Sequence, residues 1–205
     1  MSKDNKEQDI LRAAEKMFVL KGFKGATTNL IAAEAGVTHA MLHYYFRTKD
    51  QIFLKVFYSY VEQMRQALKA VMEEDVYDVG VIGKATEILF DFFWEHRGHV
   101  ALFLEVADER PDLLEAYVSE LGGLMGPALE AHEERTRIAV GKGQIREITF
   151  ASLLADIVSV CSPAIFFEPV LDNLFKLDPD AKEEYLAERR KEAVLLITGR
   201  LKTSD

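Results

Sequence analysis

The apolar residues of this 205-residue chain recur at helical spacing almost from end to end. Spacings of i, i+4, i+7 and i+8 predict a first amphipathic helix, and the residues that set them are Ile10, Ala14, Met17 and Phe18. Gly22 follows where a helix-ending glycine is expected, and Phe23 can fold back on the last turn. No segment has a convincing strand pattern, so the sequence predicts an all-α fold.

Two short helices are predicted next, joined by a four-residue turn that contains Gly36. Thr28 is the predicted N-cap of the second helix, and Thr38 is the predicted N-cap of the third, which covers about 38–46. Glycine suits a turn that requires a positive φ. This spacing is typical of a helix-turn-helix motif.

The third helix has two chemically different faces. Leu42 and Phe46 are spaced i, i+4 and would pack on the core. If the helix reads DNA, the polar-tipped side chains on its other face would point into the major groove. A small helical bundle with a few aromatic residues on its surface fits the spacing equally well.

A fourth, long helix is predicted to begin near Lys49, because Thr48-Lys49-Asp50-Gln51 matches a capping box. One apolar face then continues through about five turns. Its residues are Phe53, Val56, Phe57, Tyr60, Val61, Met64, Leu68 and Val71.

The rest of the chain also reads as helices. One stripe contains Ile82, Ala85, Leu89, Phe92 and Phe93. A helix opened by Pro111 contains three glycines and Pro127, which predict a weakened or kinked helix. Residues 149–167 are apolar nearly all round, which predicts cover on two sides, one side being a second copy of the chain. Asp178 and Pro179 cap a final helix that runs to about Gly199.

Composition limits the class of protein. The single cysteine, Cys161, excludes an internal disulfide and favours a reducing cytoplasm. No run of about 18 uninterrupted apolar residues occurs, so no membrane span is expected. The polar start MSKDNKEQ lacks the apolar segment of a secretory signal.

Charge is distributed unevenly along the chain. The net charge is −9, yet residues 1–50 contain eight Lys/Arg and six Asp/Glu and are therefore slightly basic, at +2. The remaining residues carry −11. A slightly basic N-terminal segment followed by an acidic remainder fits a protein whose N-terminal part alone approaches phosphate groups.

Residues 10–53 closely resemble the DNA-binding domain of the TetR (tetracycline repressor) family of bacterial transcription regulators. The resemblance is carried by ILRAAEKMFVLKGFKGATTNLIAAEAGVTHAMLHYYFRTKDQIF. It implies an N-terminal three-helix DNA-binding domain at 1–50, joined by the long fourth helix to a larger helical ligand-binding and dimerisation domain at 51–205. Ala40 stands where the family often has glycine, and His43 stands where tyrosine is common. Both differences bear on which bases are read.

The resemblance also implies roles for individual residues. Thr28, Thr38, Tyr44 and Lys49 would contact phosphates. His39, Ala40, Met41 and His43 would face base edges or thymine methyl groups. For each of these residues the alternative is ordinary helix surface or core.

The expected partners are a double-stranded DNA operator, a second copy of the chain and an unidentified small-molecule effector, with no membrane and no cofactor. In the family, the last two helices pair with their copies in a four-helix dimer bundle. A pocket for an apolar or aromatic effector would be lined by Phe90, Phe93, Trp94, His99, Phe103, Tyr117, Phe166 and Phe167. The alternative is that most of these side chains are ordinary core.

Other chemistry has little support in the sequence. His96 and His99 flank Gly98 at a predicted helix end, so a shared metal-binding or acid–base face is not expected. Phosphate-binding P-loop, G-x-S-x-G and H-E-x-x-H patterns do not occur. We therefore expect no enzyme; the competing hypothesis is an all-α enzyme or small-molecule carrier whose N-terminal bundle is only structural.

Overall fold

The structure is a computed structural model, and it describes residues 3–74 and 77–203. The described residues form ten α-helices and no strand, which confirms the all-α prediction. The helices are α1 (Lys3–Gly25), α2 (Thr28–Glu34), α3 (His39–Tyr45), α4 (Lys49–Met72), α5 (Val79–Glu95), α6 (Arg97–Glu109), α7 (Pro111–Gly141), α8 (Phe150–Cys161), α9 (Pro163–Phe175) and α10 (Pro179–Leu201).

Local capping determines where the N-terminal helices begin. The prediction that Thr28 caps α2 is wrong by one residue, because the hydroxyl of Thr27 accepts the hydrogen bond from Leu30 N. Thr38 caps α3 as predicted and accepts from Met41 N at 3.2 Å. At the start of α4, Thr48 accepts from Gln51 N, while the Gln51 side chain accepts from Arg47 N.

The chain folds as two compact units, and unit 1 comprises Met1–Gln63 and Gly98–Gly123. Its core is aromatic: Phe18, Phe23, Phe53 and Phe57 are all buried, and the rings of Phe53 and Phe57 lie 4.5 Å apart. Gly22 has a φ of 71°, as expected for a glycine that redirects the end of α1. Helix α6 packs close to α1, since a Cβ on Gly98 would lie 2.5 Å from the Val19 side chain.

Unit 2 comprises Met64–Arg97 and Leu124–Asp205. Helix α5 is buried along most of its length, as its wide apolar arc predicts. It packs tightly on α10, because a Cβ on Gly83 would come within 3.0 Å of the Thr198 methyl group. Ion pairs of Arg190 with Glu87 and Asp91 join the same two helices at their edge.

The predicted division at residue 50 concerns DNA binding, and it stays a prediction. The two compact units divide the chain differently, since unit 1 includes α6 and the first part of α7. Helices α4 and α7 each contribute residues to both units.

Helix α7 is continuous, and whether its glycines and Pro127 weaken or kink it stays a prediction. It runs without interruption through Gly122, Gly123, Gly126 and Pro127. An interior proline costs roughly 3 kcal/mol and each glycine roughly 1 kcal/mol relative to alanine, and α7 remains continuous despite them.

The apolar segment predicted at 149–167 is two helices rather than one. Helix α8 ends at Cys161, and Pro163 opens α9 as an N1 proline. By length and composition alone, Phe150–Phe175 could cross a membrane, contrary to our expectation from uninterrupted apolar runs. A single segment of this kind is weak evidence for a membrane span; 28% of its apolar window is buried, and Leu153, Ile157 and Cys161 lie in the core of unit 2.

Candidate nucleic-acid interface

Helices α2 and α3 and the turn between them form the predicted helix-turn-helix. Gly36 lies in the turn with a φ of 63°, a conformation that side chains with a Cβ adopt only with strain. Leu42 and Phe46 are buried, as predicted, and each contributes roughly 1.5–3 kcal/mol of apolar burial. These contacts fix which face of α3 points inward.

The opposite face of α3 is exposed. It presents His39, Ala40, Met41, His43 and Tyr44, and the Tyr44 side chain is 68% accessible. The rings of His39 and His43 meet edge to face with centroids 4.3 Å apart. This face therefore offers ring nitrogens, a phenol, a thioether and one alanine methyl group within six residues.

Thr28 lies in the first turn of α2, and its hydroxyl is 3.1 Å from His39 Nε2. Which of the two groups donates depends on the tautomer of His39. Because Thr28 contacts a side chain of the exposed α3 face, the structure places it next to the candidate base-reading residues. The Thr38 hydroxyl accepts from Met41 N as the cap of α3, and its own O–H can still donate to a phosphate.

Lys49 lies beside the end of α1 and is held in one position. Its ammonium donates to the carbonyl oxygen of Phe23 at 2.7 Å and lies 4.2 Å from the centroid of the Phe23 ring. Desolvation by burial lowers the pKa of Lys49. An ammonium has three donors, so two can still contact a phosphate.

Arg47 and Thr27 are candidate contacts that the sequence reasoning missed. Arg47 is exposed between α3 and α4, and its backbone N–H is fixed by Gln51. The signal available in the sequence was a cation directly after the aromatic run of α3. Thr27 was missed because its neighbour Thr28 fits the cap pattern equally well.

Several other cations of the N-terminal helices are already paired. The Lys16 ammonium forms an ion pair with the Glu34 carboxylate at 2.6 Å, and the Arg12 guanidinium forms one with the Asp9 carboxylate at 2.5 Å. Exposed pairs of this kind contribute little to stability. They do reduce the positive charge offered by these side chains, so the cations next to α3 carry more of the attraction for phosphate.

The eight predicted effector residues do not fall in one compact unit. His99, Phe103 and Tyr117 belong to unit 1, where their rings surround Phe57. Five others belong to unit 2: Phe90, Phe93, Trp94, Phe166 and Phe167. Phe90 and Phe93 are buried there, whereas Phe166 and Phe167 are exposed. The effector site stays a prediction.

The groups considered for other chemistry have structural partners. His96 stacks on Phe92 and lies 2.9 Å from its carbonyl oxygen, while His99 Nε2 lies 2.9 Å from Glu15. Within residues 3–74 and 77–203, no cluster of three metal-ligating side chains occurs. Burial raises the pKa of the Cys161 thiol to about 12, which keeps it protonated at neutral pH.

Comparison with known proteins finds relatives that contain a helix-turn-helix motif. The family model for bacterial regulatory proteins of the tetR family matches residues 10–56. The HTH-type transcriptional repressor NicS of Pseudomonas putida is 26% identical over 168 residues, which cover 77% of this chain and 74% of NicS. YhgD of Bacillus subtilis, named an uncharacterized HTH-type transcriptional regulator, is 29% identical over 108 residues, 53% of this chain. That match spans about half of YhgD, 56% of its length.

A solved structure extends the likeness in fold to nearly the whole chain. GusR of Salmonella enterica superposes with a TM-score of 0.70 at 17% identity, and the match covers 99% of this chain and 98% of GusR. The helix-turn-helix geometry and the matched family model agree. Over residues 10–56, this chain is similar to the tetR family of bacterial regulatory proteins.

Proposed function

We propose that this protein is a transcriptional repressor that binds a palindromic DNA operator through α3. The observation that carries the proposal is the exposed face of α3, where Ala40 is flanked by His39 and His43. A methyl group is small enough to let the helix backbone approach base edges. Ring nitrogens on either side can then donate to or accept from those edges.

Phosphate contacts would hold α3 in register. Tyr44 has an exposed phenol, Lys49 has two remaining donors, and Thr28 and Thr38 lie at the starts of α2 and α3. Such contacts fix orientation and supply affinity without reading sequence. Met41 on α3 and Arg47 directly after it are also exposed and would add contacts to the DNA.

A second copy of the chain would supply the second recognition helix. Unit 2 exposes apolar side chains on α8, α9 and α10, namely Leu154, Val158, Phe166, Phe167, Val170, Leu174, Phe175, Leu195 and Leu196. An apolar surface of this extent is typical of a subunit interface. Two-fold symmetry then pairs two half-sites about 34–36 Å apart or a multiple of that distance.

The test begins with in vitro selection of duplexes from a random pool by the wild-type protein. Hydroxyl-radical footprinting of the enriched duplex should then reveal two protected half-sites related by a two-fold axis. Their centres should lie about one helical turn, or a whole number of turns, apart. Failure to enrich any sequence, or protection of one half-site alone at saturation, would contradict the proposal.

A further inference from the structure

A charged cluster surrounds the Phe23 ring where α1 ends. We call it the Arg110 clasp and define it as Phe23, Lys49, Asp50, Arg110 and Asp112. The Lys49 ammonium lies 4.2 Å from the ring centroid, and the Arg110 guanidinium carbon lies 5.5 Å from it. The clasp therefore joins three parts of unit 1: the end of α1, the start of α4, and the junction between α6 and α7.

Arg110 forms two forked ion pairs. Its Nη1 and Nη2 donate to the two carboxylate oxygens of Asp50 at 3.3 and 2.8 Å. Its Nε and Nη2 donate to those of Asp112 at 2.8 and 2.7 Å. Hydrogen bonds to Asp112 and then Asp50 raise the pKa of Arg110, and the same pair lowers the pKa of Asp112 to about 2. Because both carboxylates hydrogen-bond the planar guanidinium, the Arg110 side chain is held in one orientation.

A second contact fixes α6 on the same end of α1. The Glu105 carboxylate accepts from Lys24 N at 3.3 Å. It also lies so close to Gly22 that an added Cβ would be 2.6 Å from a carboxylate oxygen. Arg110 follows α6 directly, so its side chain extends from a helix that is already anchored on α1.

The clasp lies close to α3 along the chain. Only Phe46, Arg47 and Thr48 separate the last residue of α3 from the first of α4. Phe46 is buried, and Gln51 accepts a hydrogen bond from Arg47 N. A connection this short and this well fixed transmits any displacement of Asp50 to α3.

We propose that Arg110 is a positioning residue for DNA binding, which holds the start of α4 against α1 and thereby sets the orientation of α3. This inference rests on the proposed function. Arg110 contacts no base in this scheme. Its effect should fall on sequence recognition, which needs base edges and side chains in register, more than on sequence-independent attraction to phosphates.

The experiment compares two affinities for each variant by fluorescence anisotropy. One is the affinity for the duplex selected by the wild-type protein. The other is the affinity for an unrelated duplex of equal length, measured at the same ionic strength. Arg110→Ala should lower the affinity for the selected duplex about tenfold and leave that for the unrelated duplex within about twofold. Arg110→Lys should lose part of that specificity, because an ammonium cannot form the fork.

Two variants separate the two ion pairs. Asp50→Asn removes the pair that reaches α4 and should reproduce most of the Arg110→Ala loss. The double variant should be little worse than either single one, because both act through one contact. Asp112→Asn is the matched comparison: it removes the other pair and leaves Asp50 in place, so specificity should fall by less than it does in Asp50→Asn.

Each outcome is decisive. If the wild-type protein selects no duplex, the proposed function fails. If it selects one and Arg110→Ala binds it as tightly as wild type, only the positioning role is wrong. Equal loss for both duplexes would also overturn that role, since it would indicate a general electrostatic or folding effect. Should Arg110→Ala not fold by far-UV circular dichroism, Arg110→Lys and Asp50→Asn carry the same comparison.

Discussion

Two surfaces of this chain expose rings to solvent, and they differ in what the rings carry. On α3 of unit 1, His39, His43 and Tyr44 present nitrogen and oxygen atoms around a single small residue. On α9 of unit 2, Phe167 and Phe175 are 59% and 68% accessible and present carbon alone. The first surface can form hydrogen bonds with water or with DNA, whereas the second is stabilised only when it is covered.

Under the proposed function, the two surfaces would bind two kinds of partner. Polar-tipped rings around a small side chain suit the groove of a duplex, where each base edge has its own donors and acceptors. Contiguous apolar side chains suit a protein surface, because burial removes them from water without requiring matched hydrogen bonds. Ala40→Leu and Ser159→Arg each make one of these surfaces resemble the other.

The largest effect is expected for Ala40→Leu, which makes the α3 face bulky and apolar. The added side chain would hold the backbone away from the base edges, and several contacts of roughly 1–3 kcal/mol each would be lost together. Affinity for the selected duplex should fall by at least about a hundredfold, while the melting temperature stays nearly unchanged because position 40 is exposed.

Ala67→Leu is the matched control, since Ala67 is also exposed on a helix and gains the same volume. It should bind DNA as wild type does. A drop in the melting temperature of Ala40→Leu, measured by calorimetry, would mean that this position packs inside and that the assigned face of α3 is wrong.

A smaller effect on DNA binding is expected for Ser159→Arg, which places a charge on the apolar side of unit 2. Ser159 is exposed on α8, on the side away from Leu153 and Ile157. A charge buried there without a partner should weaken self-association strongly. Affinity for the selected duplex should fall about tenfold, because two half-sites are no longer bound together.

Sedimentation equilibrium at micromolar concentration checks this prediction. Wild type and the control Glu130→Arg, a change at an exposed position of α7, should both be dimers. A monomeric wild-type protein would contradict the interface, and an unchanged Ser159→Arg dimer would place the interface elsewhere.

The N-terminal helices were predictable because their signals are local. Gly22 and Gly36 both adopt positive φ, and Thr38 caps α3, so neighbouring residues alone specified the helix-turn-helix. Thr27 was missed because adjacent threonines satisfy the same cap pattern. Whether the glycines and Pro127 weaken or kink α7 stays a prediction, because helix propensities do not include the packing of a long helix.

Contacts between distant residues were not predictable. Arg110 and Asp50 are sixty residues apart, and no periodicity or motif links them. The same holds for Glu105, whose carboxylate occupies the space that Gly22 leaves open. The effector site was hard to predict for another reason: aromatic residues are common both in protein cores and in the walls of pockets.

The proposed function requires that the α3 face reads bases while flanking cations hold phosphates. It is tested most directly by measuring DNA affinity against salt concentration and against single base-pair changes for two variants. Lys49→Gln removes the charge but keeps a donor that can bond the Phe23 carbonyl, and His39→Ala removes a candidate base contact. Lys49→Gln should weaken binding to all sequences alike and flatten the salt slope by about one unit. His39→Ala should keep the wild-type slope and relax preference at particular base pairs by roughly 1–3 kcal/mol. If Lys49→Gln instead altered base preference with an unchanged slope, or His39→Ala left preference intact at every position, the assignment of this interface would be contradicted.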